Sequence, residues 1–314
     1  MANKHTGIMN PASAPVRGGG RTTGESARER LLAGLPVTHR RLSLNGVLTA
    51  VLEGGGGPPI VLLHGPGAYG AHWLRVIPSL VTTHRVIAPD LPGHGESEMF
   101  EGSLATDLVS GWLDDLIECT CSIPPIVVGQ ALGGAIAARF ASERGDRLAA
   151  LVLVDALGLS AFQPTPEFGS ALNEFLSAPT ERTHDLLWSR CAFDLTSLRR
   201  RMGEQWESLK AYNLDRARTP GRLAALGGLM ERFGVPAIPP ETLARIAVPT
   251  TLIWGRHDLA IPLPIAEKAS ARFGWGLHVI DDAADDPPME QSEAFVNVLR
   301  AVLGTSLEKE RAKR

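Results

Sequence analysis

The stretch Pro125-Ile126-Val127-Val128-Gly129-Gln130-Ala131-Leu132-Gly133-Gly134 constrains this chain more than any other. An apolar, β-branched run reads as a buried strand. It meets a turn with glycine on both sides, and a helix follows. In the pattern G-x-S-x-G the flanking small residues let strand and helix pack closely. The central side chain then projects, in a strained conformation, into a pocket. Here the spacing is complete but the central residue is Ala131, and a methyl group cannot attack a carbonyl.

Around that turn, apolar stretches alternate with helical ones. Val37 to Leu44 alternates polar and apolar residues, Asn45-Gly46 signals a tight hairpin, and Val47 to Leu52 is the partner strand. Ile60 to Leu63 is a short apolar strand ending in His64-Gly65-Pro66-Gly67, and Ala71 to Leu80 is amphipathic. Arg85 to Ala88 leads into Asp90-Leu91-Pro92-Gly93-His94-Gly95-Glu96-Ser97, and Leu104 to Ile117 has helical spacing. Leu151 to Val154 is a further buried strand, ending at Asp155. This rhythm predicts an α/β fold with a mostly parallel twisted sheet and helices on both faces.

The rhythm stops between residues 159 and 245, where helical patterns follow one another without a strand. That segment holds Phe162, Phe168, Phe175, Trp188, Phe193, Trp206, Tyr212 and Phe233. It reads as a helical cap inserted between two strands, its aromatics filling the cap and its contact with the sheet. The sheet resumes at Thr250 to Trp254, ending in Gly255-Arg256-His257-Asp258. Helix Pro264 to Phe273 and strand Gly276 to Ile280 follow, then a loop with Asp281, Asp282, Asp285 and Asp286, and a closing helix from Ser292 to Leu303. The expected organisation is a tail with a short helix over 1–35, a core of 36–158 and 246–304, a cap over 159–245, and a charged tail over 305–314.

With 314 residues, 44% of them hydrophobic, the chain can bury a substantial core. A net charge of -3 argues against nucleic acid as a partner. No apolar run is long enough to span a bilayer, and the N-terminus has no apolar signal segment. Three cysteines, Cys119, Cys121 and Cys191, without C-x-x-C spacing, fit small buried hydrophobes in a reducing compartment. A cytoplasmic location is expected. The four aspartates match no metal-site spacing, and the glycines after His64 lack the lysine of a phosphate loop, so neither metal nor cofactor is expected.

Four segments in order resemble the α/β-hydrolase family, over Val37 to Leu303. They are the His64-Gly65 turn, the Asp90 to Ser97 loop, the elbow Gly129 to Gly133, and Gly255 to Asp258. Pro66-Gly67-Ala68 also resembles the corresponding loop of carbon–carbon bond hydrolases. The resemblance implies a nucleophile at position 131, an acid at Asp258, and a histidine after the last strand. It also implies an oxyanion hole formed by the turn at Gly65, Pro66 and Gly67 and by the N–H of Leu132. Three of these positions depart from the pattern. Ala131 replaces the nucleophile, Asp285 stands at the histidine position, and Pro66 has no N–H to donate. His257, next to Asp258, is the nearest histidine in sequence to any of these positions, while His278 reads as a packing residue within its strand.

These departures predict a protein that binds a small, largely apolar carbonyl or ester-type molecule under the cap. Serine-hydrolase activity should be absent or very weak. Any chemistry should run through acid–base groups such as Asp258 and Asp285, because two close carboxylates cannot both ionise easily. Two alternatives stand beside this reading. One is a serine ester or carbon–carbon bond hydrolase inactivated at position 131, and the other is a non-catalytic small-molecule receptor.

Overall fold

The computed structural model describes residues 23–100 and 105–311, without the side chains of 303 and 305–311. Most of the expected N-terminal tail and the last three residues lie outside this range. Eight strands form one sheet: β1 Thr38–Leu44, β2 Val47–Gly54, β3 Pro59–Leu63, β4 Arg85–Pro89, β5 Ile126–Gln130, β6 Ala150–Val154, β7 Thr250–Gly255 and β8 Gly276–Ile280. The helices outside the insertion are α1 Thr23–Leu32, α2 Ile77–Leu80, α3 Thr106–Thr120 and α4 Leu132–Arg144. Inside it lie α5 Pro166–Ser177, α6 Glu181–Cys191, α7 Leu195–Met202, α8 Glu204–Ala217, α9 Pro220–Leu229 and α10 Pro240–Leu243. After it come α11 Pro264–Phe273, α12 Pro287–Glu290 and α13 Ser292–Arg311.

The spatial order is β1-β2-β4-β3-β5-β6-β7-β8. Strand β2 runs antiparallel to both neighbours, and β4, β3, β5, β6, β7 and β8 are parallel. The fold is therefore the α/β architecture expected. Period-two alternation divides the strand side chains between two cores. Val61, Leu63 and Val127 face α3, α4 and α11, whereas Ile60, Leu62, Ile126 and Val128 face α1, α2 and α13. Every residue of β3, β5 and β6 is buried, which is why these strands read as unbroken apolar runs. At the outer edge, β1 exposes most of its residues, among them Arg40 and Arg41, and such charges discourage edge-to-edge pairing. The Asn45-Gly46 turn has φ of 45° and 81°, the doubly positive geometry of a tight hairpin.

The amphipathic stretch Ala71 to Leu80 divides into a 3₁₀ segment, Gly70–Arg75, and α2, with Pro78 near the start of the second piece. The closing helix runs on into the charged tail, reaching Arg311. One expectation needs revision: His278, read as a packing residue, is exposed, on β8 at the far edge of the sheet. The short helix expected near the N-terminus is present as α1 and is partly buried. Ala27, Arg28 and Leu31 are buried, and Arg28 reaches Asp90 at 3.4 Å and Glu96 at 3.1 Å.

Strands β3 and β5 are adjacent, yet β4 lies between them in the chain, on the far side of β3. The chain thus reverses its direction of travel across the sheet there, which opens a crevice beyond the carboxyl ends of the strands. The loops after β3, β5, β6, β7 and β8 carry Gly65, Ala131, Asp155, Asp258 and Asp285 to this one edge. Of the inserted helices, α5, α6, α8 and α9 line the space over it.

Candidate functional site

The elbow forms because strand and helix approach closer than any side chain permits. A Cβ on Gly129 would lie 2.5 Å from the Gly133 carbonyl oxygen, and one on Gly133 would lie 2.4 Å from that of Leu63. Ala131 sits between them at φ 43° and ψ -107°, a left-handed conformation that is costly for any residue with a Cβ. The strained turn is thus retained without a hydroxyl to display. Leu132 is the first residue of α4, so its N–H has no intrahelical acceptor.

On the neighbouring strand, Ala68 N–H donates to the Gly65 carbonyl at 3.3 Å, and Gly67 has φ of 70°. Proline second and glycine third make this a type II turn. The turn lacks a donor at Pro66 for a covalent structural reason: the ring occupies the nitrogen. His64 is neutral and structural. Its Nε2 accepts from Leu91 N–H at 2.9 Å and its Nδ1 donates to the Gly65 carbonyl at 2.8 Å, while burial holds its pKa well below the usual range. His94 has its Nδ1 3.2 Å from the Pro92 carbonyl, while its Nε2 is buried without a hydrogen-bond partner.

Between sheet and inserted helices lies a cavity of about 590 Å³. Its floor includes Gly65, Pro66, Gly67 and Ala131, and Phe162, Phe168, Phe175 and Trp188 line its upper part. The other expected aromatics pack elsewhere. Trp206 stacks edge-on to Trp188 at 5.1 Å, Tyr212 lies 4.2 Å from Tyr69, and Phe193 is exposed.

One wall of the cavity is acidic. Asp285 stands on it, so the residue at the histidine position does face the cavity. The loop carrying it is tied to the inserted helices: Asp285 N–H donates to the Cys191 carbonyl at 3.2 Å, and the buried Glu290 carboxylate accepts from Ala284 and Phe193 N–H at 2.7 and 2.6 Å. Burial raises the Asp285 pKa well above the usual carboxylate range. Asp258, Asp286 and Glu290 add to this, and a hydrogen bond with the Cys191 side chain opposes it. Burial raises Glu290 to about 8.

Asp258 follows β7, in the loop expected to carry the acid, and its side chain is buried behind the cavity wall, with Oδ1 accepting from Ala260 and Ile261 N–H at 2.7 and 2.8 Å. The carboxyl that opens on the cavity is Asp155, at the end of β6 with φ of 41°. Asp155 Oδ1 accepts from Gly255 N–H at 2.9 Å, and the second carboxyl oxygen of each aspartate is buried without a hydrogen-bond partner. Burial raises Asp258 to about 7, against the pull of its two N–H donors. Burial also raises Asp155 well above the usual carboxylate range, with the Asp258 charge adding to it. His257 is not brought to the cavity. It is exposed on the outer side of the β7 loop, stacked on Phe193 at 4.4 Å. Asp281 and Asp282 are also exposed, Asp281 pairing with Arg256 at 2.6 Å, so the four aspartates do not converge.

The sequence reading missed His72, which lies in the 3₁₀ segment after β3 and lines the cavity. Its Nε2 is 2.6 Å from Asp286 Oδ2, and Gln130 Nε2 donates to Asp286 Oδ1 at 3.1 Å. Burial alone would lower the His72 pKa; the Asp286 carboxylate more than offsets it and leaves it raised. The partners are 214 residues apart, so no local spacing announced them. Asp155 had a weak signal: it is the acid ending a buried strand of the same parallel set.

Residues 60–298 match the model of a family described as the Alpha/beta hydrolase family. The chain belongs to that family. It is 30% identical over 251 residues to a 2-hydroxy-6-oxononadienedioate/2-hydroxy-6-oxononatrienedioate hydrolase of Escherichia coli, covering 77% of this chain and 85% of that one. It is 28% identical over 258 residues to the dihydrolipoyllysine-residue acetyltransferase component of an acetoin cleaving system of Cupriavidus necator; the match takes in 80% of this chain and spans 65% of that relative's length. Among solved structures, the 2-hydroxy-6-oxo-6-phenylhexa-2,4-dienoate hydrolase of Rhodococcus sp. strain RHA1 superposes with a TM-score of 0.73 at 23% identity, over 85% of this chain and 98% of that one. Among the described residues, no helix is long and apolar enough to cross a membrane.

Proposed function

We propose that this α/β-hydrolase family protein binds a small, largely apolar molecule bearing a carbonyl or ester group in the cavity beneath α5 to α9. Serine-type hydrolysis is absent or very weak, and any chemistry uses acid–base groups instead of a covalent intermediate. The observation that carries this reading is the elbow itself. Its strained geometry is kept, while the side chain at its apex is a methyl group and the neighbouring wall presents the Asp285 carboxyl. Apolar rings above suit an uncharged body. Below, Asp285 is held in its protonated form and donates a hydrogen bond to a carbonyl oxygen, polarising it. The carbonyl chemistry named for the Escherichia coli relative supports the ligand class by kinship.

The test is hydrolysis of p-nitrophenyl acetate and butyrate by the unmodified protein, Ala131→Ser, and Ala131→Ser combined with Asp285→His. The unmodified protein and the single variant should be near background, because a serine without a base is a weak nucleophile. Only the double variant should gain turnover. Robust hydrolysis by the unmodified protein, abolished by Asp258→Ala, would refute the reading. Full recovery by Ala131→Ser alone would favour a serine hydrolase inactivated at that position.

A further inference from the structure

We propose that His72, held by Asp286, is the proton-transferring residue of this cavity, entering from the loop after β3 instead of the loop after β8. The inference rests on the proposed binding of an apolar carbonyl compound and assigns that site its base.

The geometry has three parts. Asp286 Oδ2 sits 2.6 Å from His72 Nε2 and fixes that nitrogen as the one bearing hydrogen. Asp286 is itself fixed from the other side, because its Oδ1 accepts from Gln130 Nε2 at 3.1 Å and from Met289 N–H at 3.3 Å. Gln130 immediately precedes Ala131, so the anchor of the pair and the floor of the cavity are consecutive residues. The remaining nitrogen, Nδ1, makes no hydrogen bond with the protein, and it is not among the sealed, unpartnered atoms of the interior. With His72 on the cavity wall, Nδ1 is the face it offers a ligand. A carboxylate holding one imidazole nitrogen while the other meets the ligand is the arrangement that makes histidine a directed base. Of the other histidines on the cavity wall, His94 has its Nδ1 against the Pro92 carbonyl and no carboxylate within hydrogen-bond distance, and His184 has its Nε2 3.3 Å from Asn213 and lies no closer than 3.5 Å to Asp185. His64, behind the wall, has both nitrogens bonded to the backbone.

The step this permits is enolisation. Neutral His72, the form present above its raised pKa, takes an α-proton of the bound carbonyl compound at Nδ1. The C–H electron pair becomes the carbon–carbon double bond of the enol, and the carbonyl oxygen takes the proton of the Asp285 carboxyl. Reversal returns one proton to carbon and one to Asp285, so no co-reactant is consumed. Return to the same carbon exchanges hydrogen with solvent, and return to a conjugated carbon isomerises the ligand.

Benzylacetone, an apolar ketone, is the probe. Saturation-transfer NMR reads its binding, and loss of its α-proton signals in heavy water reads the chemistry. The expected result is binding, with exchange faster than in buffer and slowed at least about 100-fold in His72→Asn while binding persists. Absence of saturation transfer refutes the apolar-carbonyl reading, and this proposal with it. Binding with exchange no faster than in buffer, or exchange unaltered by His72→Asn, refutes the proposal alone. A measurement on the unmodified protein covers the case in which the variant misfolds. Above the raised His72 pKa, the Nδ1 resonance of ¹⁵N-labelled His72 should show the Nε2–H form and should move on adding benzylacetone; an unmoved resonance overturns the proposal.

Discussion

Replacing Asp258 by Asn tests the proton held in the acidic wall. The amide oxygen can keep both N–H donors that Oδ1 now accepts, from Ala260 and Ile261 at 2.7 and 2.8 Å. The amide carries no charge, so nothing at this position has to be protonated for burial. In the native protein the folded pKa is about 7 against an ordinary value of 3.8. Below the ordinary value both folded and unfolded chains hold the proton, and Asp258 makes no difference to stability. Between the two values the folded chain keeps a proton that the unfolded chain has released. Stability therefore falls as pH rises, by about 1.4 kcal/mol per pH unit, reaching a loss of about 4 kcal/mol near neutrality and then levelling. The variant has no such titration, and losing the Asp258 charge also eases ionisation of Asp155, which acts in the same direction. The two proteins should be equally stable near pH 4, with the variant ahead near pH 8 by up to about 4 kcal/mol, or about 6 °C in Tm for a chain of this length. Urea denaturation and thermal melts across that range measure the gap. Parallel pH profiles for the two proteins would refute the argument from the raised Asp258 pKa.

Other consequences follow from the same contacts. Gly129→Ala should destabilise by about 1–3 kcal/mol in urea denaturation, because its Cβ would fall 2.5 Å from backbone oxygen that α4 holds in place; an unchanged midpoint would deny the close approach of β5 and α4. Arg28→Met removes the cation beside buried Asp90, which also accepts from Gly70 N–H at 2.6 Å, and should cost about 3 kcal/mol by the same measurement. Trp188→Leu should weaken benzylacetone binding by about 1 kcal/mol, roughly fivefold, in saturation-transfer titrations, and equal binding would place the ligand away from the aromatic wall.

Much of the fold was legible because its signals are local. Strands β3, β5 and β6 are buried on both faces, so their apolar runs stand out without any partner being known. The elbow was legible because close backbone approach demands glycine at fixed spacing. The short α12 was not, since its four residues carry no periodicity and exist because Asp286 caps them, accepting from Met289 N–H. The site divided in the same way. Ala131 and Asp285 were recognisable from their places after particular strands, whereas Asp155 depends on which strand lies beside which. With β6 between β5 and β7, Asp155 lines the cavity while Asp258 lies behind it.

The amino-acid sequence by itself determined the parallel α/β sheet, the position of the strained turn and the chemical identity of its apex, because each follows from periodicity or from backbone sterics within a few residues. Only the tertiary structure decided the protonation of the acidic wall, the choice of four cavity aromatics among eight, and the pairing of His72 with Asp286. Those properties come from burial and from contacts between segments far apart in the chain. A carboxyl's affinity for its proton, or a histidine's free nitrogen, exists only once strand order has placed one charge beside another and shut water out.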